Sequence, residues 1–183
     1  MKKLLEYGGI AASIVLIAFG IGAVYSGVNG RHQVRTELAR EQIVGTPDST
    51  IPGQLVNTGA KAQAFAKIMR HHTLEATGGQ TYSQMGQFLD TAGKPTSDQA
   101  KAAIDTQTKK PVANPARQIW VTETALTTAL NTAYFAESVA TFAIVMGVAL
   151  LLVGGGFLVL TLRVLRQPSS APRRQPQAAV AAS

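Results

Sequence analysis

The chain has no cysteine. That excludes a disulfide framework, a thiolate nucleophile and a cysteine-ligated metal. It leaves the compartment open, because a cysteine-free chain suits either side of a membrane. Charge is also scarce, at 15% of residues, and is missing altogether from two long runs. Tyr7 to Gly30 is 24 residues without a charge, and Ser138 to Leu162 is 25 more. Proline is absent between Pro115 and Pro168, so nothing of that kind interrupts a helix there.

A bilayer's hydrocarbon core takes about 20 helical residues to cross. Both uncharged runs qualify, and no third one does. The first follows Lys2 and Lys3, as a signal peptide would. Its apolar stretch exceeds the usual signal core of roughly 7–15 residues, and "VYS" is a poor substitute for an A-x-A cleavage site. It therefore reads as a retained anchor. The expected organisation is a cytoplasmic N-terminus (1–7), a first transmembrane helix (8–30), an extracytoplasmic helical domain (31–137), a second transmembrane helix (138–162) and a basic, disordered cytoplasmic tail (163–183).

Orientation follows from the basic residues. Arg163, Arg166, Arg173 and Arg174 follow the second run with no acid among them, which points to both termini in the cytoplasm of a plasma-membrane protein. Arg31 and Arg35, directly after the first run, conflict with that reading. Between the runs lie 11 Lys/Arg and 9 Asp/Glu, a near balance. Most of the net charge of +7 thus sits in the tails, where it suits anionic lipid headgroups better than nucleic acid.

The middle segment reads as helices. "RHQVRTELAREQIV" extends the first helix to about Val44, with Gly30 a candidate bend. "GTPDSTIPGQ" stops it. A helix over 59–76 has Ala62, Phe65, Met69 and Leu74 on one face, and Gly78-Gly79 as its stop. Short helices are expected over 83–90 and from Ser97, with "TAGKPT" a loop and "TQTKKPVA" a polar linker. Asn114-Pro115 is an N-cap followed by proline at the first helical position. From there to Arg166 are 52 residues, about 78 Å of helix, against about 30 Å of hydrocarbon. The helix must project well beyond the bilayer.

Small residues recur along it: Ala125, Ala129, Ala133, Ala136, Ala140, Ala143, Gly147 and Gly154. A seam of this kind lets two helices approach closely, which matters most in lipid, where apolar burial no longer drives association. The first run carries a candidate matching track: Gly8, Ala11, Val15, Ala18, Gly22 and Ser26. The fold class expected is therefore all-α: two antiparallel transmembrane helices extended outward into a helical stalk or small bundle. The residues assigned to helix packing are Ala18, Gly22, Ser26, Ala133, Ala136, Ala140, Ala143 and Gly147. The outer core is expected from Val34, Leu38, Phe65, Ile68, Met69, Leu74, Phe88, Leu89, Ile104, Ile119, Trp120 and Leu126. Tyr7, Tyr25, Trp120 and Tyr134 flank the runs as interfacial aromatics do.

Chemistry is harder to find. "MRHHTLEATGG" places His71 and Glu75 one helical turn apart, a weak metal candidate with two ligands where three or four are usual. His72 with Glu75 is a candidate pH-sensitive pair. No G-x-S-x-G elbow, phosphate loop or calcium loop is present. No charged side chain lies within either run, which argues against an ion pathway. No catalytic residue and no cofactor are assigned.

Taken together, "EYGGIAASIVLIAFGIG", "EQIVGTPD", "HTLEATGGQTY", "FLDTAGKPT" and "RQIWVTETALTTALNTAYFAE" resemble an uncharacterised family of small two-span membrane proteins from actinobacteria. The resemblance covers about Glu6 to Leu162. Members are sometimes labelled aromatic ring-opening dioxygenases, enzymes that need a metal site in a substrate pocket. The resemblance implies membrane placement and supplies no reaction. The expected function is a non-enzymatic scaffold or accessory subunit, with membrane lipids and other subunits or a second copy as partners. The alternatives are an extracytoplasmic sensor or ligand-binding module and, third, a metal-dependent enzyme.

Overall fold

The computed structural model describes residues 2–165. The expectations for Arg166, Arg173, Arg174 and the rest of the tail lie outside the described residues, as do the side chains of Lys2 and Lys3. The chain is mostly helical, and two of its helices are long and apolar enough to cross a membrane. Helix α1 spans Lys2–Arg40, α2 Gly59–Ala76 and α3 Pro115–Leu160, the last followed by a π-helical turn over Thr161–Leu165. Strands β1 (Phe88–Leu89) and β2 (Pro95–Thr96) pair antiparallel, and a 3-10 turn covers Gln99–Lys101.

The chain folds as two compact units, one of residues up to Ala23 together with those from Met146, the other Val24–Val145. In the first unit the helices meet through glycine. A Cβ placed on Gly20 would lie 2.8 Å from the Gly147 carbonyl oxygen, and one on Gly154 would lie 2.9 Å from Ile17 Cγ1. Gly9 faces Thr161 in the same way. Ser13 is fully buried, and its hydroxyl donates to the Gly9 carbonyl at 2.8 Å, so the polar group is satisfied within its own helix. The other faces carry Phe19 and Leu152, both about 70% exposed. Only 11% of the most apolar stretch of each long helix is buried. A core helix of a soluble domain would be covered; these are not.

The track on α1 differs from the one expected. Ala18, Gly22 and Ser26 are exposed, and Gly8 and Gly22 have nothing within 4 Å of a Cβ position. The buried positions are Ser13, Gly20 and Gly27, spaced by seven. On α3 the buried small residues are Ala140, Gly147 and Gly154, again spaced by seven, and Thr161 continues the interval into the π-helical turn. Ala133, Ala136 and Ala143 are half-buried. A seven-residue repeat keeps one narrow seam facing a partner helix, and the expected α1 track runs on a different side of the same cylinder.

The second unit holds the polar part of the chain. Gly27 lies under Ala140 and Ile144, a Cβ there falling 2.6 Å from the Ala140 carbonyl oxygen. α1 stops at Arg40, short of Val44, where Gln42 turns to a positive φ of 51°. Helical structure is unbroken through Gly30 and through Gly154–Gly156. Residues 43–56 fold back on themselves through a Val44–Leu55 bridge, with the Val56 N–H donating to the Ile43 carbonyl at 2.8 Å. That return inserts Ile51 and Val56 into a core with Leu38, Ala62, Ala66 and Leu130. Val56 is fully buried, a contribution of about 1.5–3 kcal/mol. Val34, Phe65 and Met69 pack against this core; Ile104, Ile119 and Leu126, also expected in it, are exposed.

An all-α description is corrected by residues 81–113. The expected helix over 83–90 is instead turns leading into β1, and of the expected loop "TAGKPT" residues 91–94 form the hairpin turn while the last two are β2. Asp90 caps that turn, accepting from the Ala92 and Lys94 amides at 2.9 and 2.8 Å, with Gly93 at φ +76°. Ser97 starts no two-turn helix; Asp98 caps the short 3-10 turn through the Ala100 amide. Bridges Asp90–Ala102, Ile104–Pro111 and Phe88–Ala113 complete the patch. Two-residue strands are too short to print a period on the sequence. α2 keeps its expected bounds, with Thr58 as its N-cap and Gly78 and Gly79 both at positive φ after it.

Candidate functional site

Glu137 gathers three elements of the second unit. It sits on α3 and is 8% exposed. Its Oε1 accepts from Arg35 Nε at 2.7 Å and from Arg31 Nε at 3.1 Å, both on α1. Its Oε2 accepts from the Gly59 amide, the first residue of α2, at 2.5 Å. A carboxylate at a helix N-terminus satisfies an amide that has no partner within the helix and meets the positive end of the dipole. Glycine is required at 59, because a Cβ would lie 2.8 Å from Tyr134 Cα. Burial pushes the Glu137 carboxyl upward; the Gly59 amide, Arg35 and Arg31 outweigh it and hold the group below the ordinary carboxylate range. Glu137 is therefore an ionised pin joining α1, α2 and α3. Arg31 and Arg35 stand after the first apolar run as a charge conflict; their carboxylate partner is 102 or more residues away in sequence and carries no local signal.

Beside this pin a cavity of about 420 Å³ is lined by Arg31, Arg35, Thr58, Tyr134, Ser138 and Thr141, among others. Arg31 reaches Glu137 through Nε, and its side chain is 42% exposed.

A second cluster lies between α2 and α3. Trp120 is 2% exposed, and its Nε1–H donates to the Gln80 carbonyl at 2.9 Å and to Thr77 Oγ1 at 3.2 Å. It is thus a buried packing residue and not an interfacial anchor. The Arg70 guanidinium lies 4.1 Å above its ring and reaches Glu123 Oε2 at 3.3 Å. Glu123 is 3% exposed, and its Oε1 has no partner among the described residues. A polar groove of about 400 Å³ runs beside it, lined by Gln63, Lys67, Arg70, Glu123, Thr127 and Asn131. Next along the chain, Arg117 stacks on Tyr82 at 3.9 Å and donates to the Met85 carbonyl at 3.0 Å. Asn114 accepts from the Ala116 amide and donates to the Gly86 carbonyl, capping α3 and tying it to the β patch.

The histidines separate. His71 Nε2 lies 3.2 Å from Glu75 Oε1, with both side chains more than 60% exposed. Among the described residues no group of three or more His, Cys, Asp or Glu is placed to hold a metal ion. His72 does not pair with Glu75 but with Asp48 of the 43–56 return, at 2.5 Å. That hydrogen bond is the largest influence lowering the Asp48 carboxyl to about 2.

Of the residues assigned to helix packing, Ala140 and Gly147 are buried, and Ala133, Ala136 and Ala143 half-buried; Ala18, Gly22 and Ser26 face outward. No family model matches the chain, and no curated protein or solved structure matches it.

Proposed function

We propose that the chain is a non-enzymatic integral membrane protein of the plasma membrane, with α1 and α3 crossing the bilayer as an antiparallel pair. Both termini face the cytoplasm. Residues between the spans form an extracytoplasmic head that serves as a scaffold or accessory subunit for other membrane proteins. The observation that carries this reading is the Glu137 pin. It fastens α1, α2 and α3 with one ionised carboxylate, next to the boundary where the second uncharged run begins. A device of that kind holds α2 against the adjoining turns of α1 and α3 within one unit, a rigidity that suits a scaffold. Contacts of small residues that run up α1 as they run down α3 support the antiparallel pairing: Gly9 against Thr161 and Gly20 against Gly147 in one unit, Gly27 against Ala140 in the other. The resemblance to two-span actinobacterial membrane proteins belongs to the same reading. Purification of the tagged full chain in mild detergent tests it. A stoichiometric partner or a defined homo-oligomer is expected; a lone monomer that also partitions away from detergent contradicts it.

A ligand-binding module is the second reading, favoured by the orphaned Glu123 Oε1 beside its polar groove. A buried acceptor without a donor costs about 1–3 kcal/mol, and a ligand donor relieves that cost. A small molecule that raises the melting temperature of the wild-type chain, but not of Glu123→Gln, supports it.

A further inference from the structure

The Glu137 pin leaves a surplus of positive charge, and the geometry points to a phosphate-binding site for an anionic lipid headgroup in the cavity lined by Arg31, Arg35, Tyr134, Ser138 and Thr141. The inference rests on the membrane reading above. Two guanidiniums face one carboxylate, so the cluster carries one net positive charge (two minus one). Both arginine side chains are about 40% exposed, while the carboxylate between them is 10% exposed. The negative charge is therefore withdrawn and the positive charge presented. Arg31 turns its Nε toward Glu137 while its side chain stays 42% exposed, and guanidinium matches a phosphate's oxygens with paired donors. Ser138 and Thr141 spend their hydroxyl hydrogens on helix carbonyls one turn back, so the donors to an anion come from the arginines. Thr58 adds a hydroxyl and Tyr134 an amphipathic ring on the same wall. A cavity of about 420 Å³ admits a headgroup.

The level is also right. Arg31 directly follows the first uncharged run, and Ser138 opens the second. The site thus lies where each run meets its polar flank, at headgroup depth in a two-span protein. Basic residues at this depth attract anionic lipid and not a neutral one. The two arginines after the first run, which oppose the charge rule for orientation, then have a local task.

The test uses the full chain in detergent, mixed with equimolar phosphatidylglycerol and phosphatidylcholine, and native mass spectrometry of the lipid adducts. Phosphatidylglycerol is expected to exceed phosphatidylcholine by about fivefold. Arg31→Gln should bring the ratio close to one, and Arg31→Lys should keep most of it. Unchanged Trp120 emission shows that the variants remain folded. Equal retention of both lipids by the wild-type chain, or a preference that survives Arg31→Gln, overturns the site. Millimolar inorganic phosphate distinguishes the sources: if it strips the lipid, the cavity holds the free ion and the headgroup assignment fails. A wild-type chain that stays in the aqueous phase on detergent phase separation overturns the membrane reading itself. That result is distinct from a detergent-partitioned chain with no lipid preference, which overturns the site alone.

Discussion

Removing the Glu137 carboxylate should loosen the head more than any other single change to a charged residue. The Gly59 amide donates to an ionised acceptor, a bond worth about 1.5–3 kcal/mol. The two arginine contacts are short, but their guanidiniums are about 40% exposed, so solvent screening limits them to about 1 kcal/mol each at most. Glu137→Ala should therefore cost about 3–4 kcal/mol, with the Gly59 amide left buried and two like charges left facing each other. Glu137→Gln keeps an acceptor for Gly59 and should cost about 1–2 kcal/mol. The chain has a single tryptophan, and Trp120 lies in this unit, so its emission follows melting of the head directly. For a domain of this size each kcal/mol moves the midpoint by roughly 4–8 °C. Glu137→Ala should then lower it by more than roughly 10 °C, with Glu137→Gln between it and the wild type. The pH dependence has a definite sign. The folded carboxyl is lowered from 4.5, so its stabilisation is fully present above that value and is lost as pH falls through the folded pKa. The gap between wild type and Glu137→Gln should close in acid. A midpoint for Glu137→Ala within about 1 °C of wild type, or a gap that widens in acid, would refute the reasoning.

Three further outcomes follow from the packing. Gly20→Ala puts a methyl 2.8 Å from the Gly147 carbonyl oxygen and should weaken the helix pair, whereas Gly22→Ala meets nothing and should be neutral or stabilising by up to about 1 kcal/mol. Energy transfer between labels at the helix ends, titrated with denaturing detergent, ranks the two variants. Trp120→Phe removes one donor from the Gln80 carbonyl, which keeps the Thr77 hydroxyl, and should cost about 0.5–1.5 kcal/mol. Because it deletes the fluorophore, head unfolding is read there by proteolysis. Asp48 is lowered from 3.8 to about 2 chiefly by His72, so its contribution is present above 3.8 and lost as pH falls through about 2. His72→Gln should return the Asp48 titration toward 3.8, followed by NMR of its carboxyl carbon; an unmoved value would show that His72 does not hold it.

The legible parts of the sequence are those with long periods or specific caps. α2 shows an apolar face and a double-glycine stop, and the glycines' positive φ angles explain why they stop it. Asn114-Pro115 announces α3, and Asn114 does cap it. The seam on α1 is ambiguous in sequence because small residues run on two sides of that helix. Gly8, Ala11, Ala18 and Gly22 form one track, and Gly9, Ser13, Gly20 and Gly27 another. Residue size alone does not say which one meets α3, since lipid tolerates either. The 43–56 return reads as a breaker-rich connection, yet Ile51 and Val56 close the core. Nothing local distinguishes an isolated apolar residue in a loop from a core residue; its burial is decided by Leu38, Ala62 and Leu130 from elsewhere in the chain. The Glu137 pin is hidden for the same reason. Its members are visible singly, as a domain edge and two unwelcome arginines, and only the fold brings them together.

The absence of cysteine makes the central claim directly testable, because any introduced thiol is the sole target. Thr106→Cys lies in an exposed turn between the two uncharged runs, far in sequence from Glu137. On intact cells it should react with a membrane-impermeant maleimide, while the same reagent should reach a thiol placed before the first run only after lysis. Labelling of Thr106→Cys that also requires lysis would put the head in the cytoplasm and contradict the account.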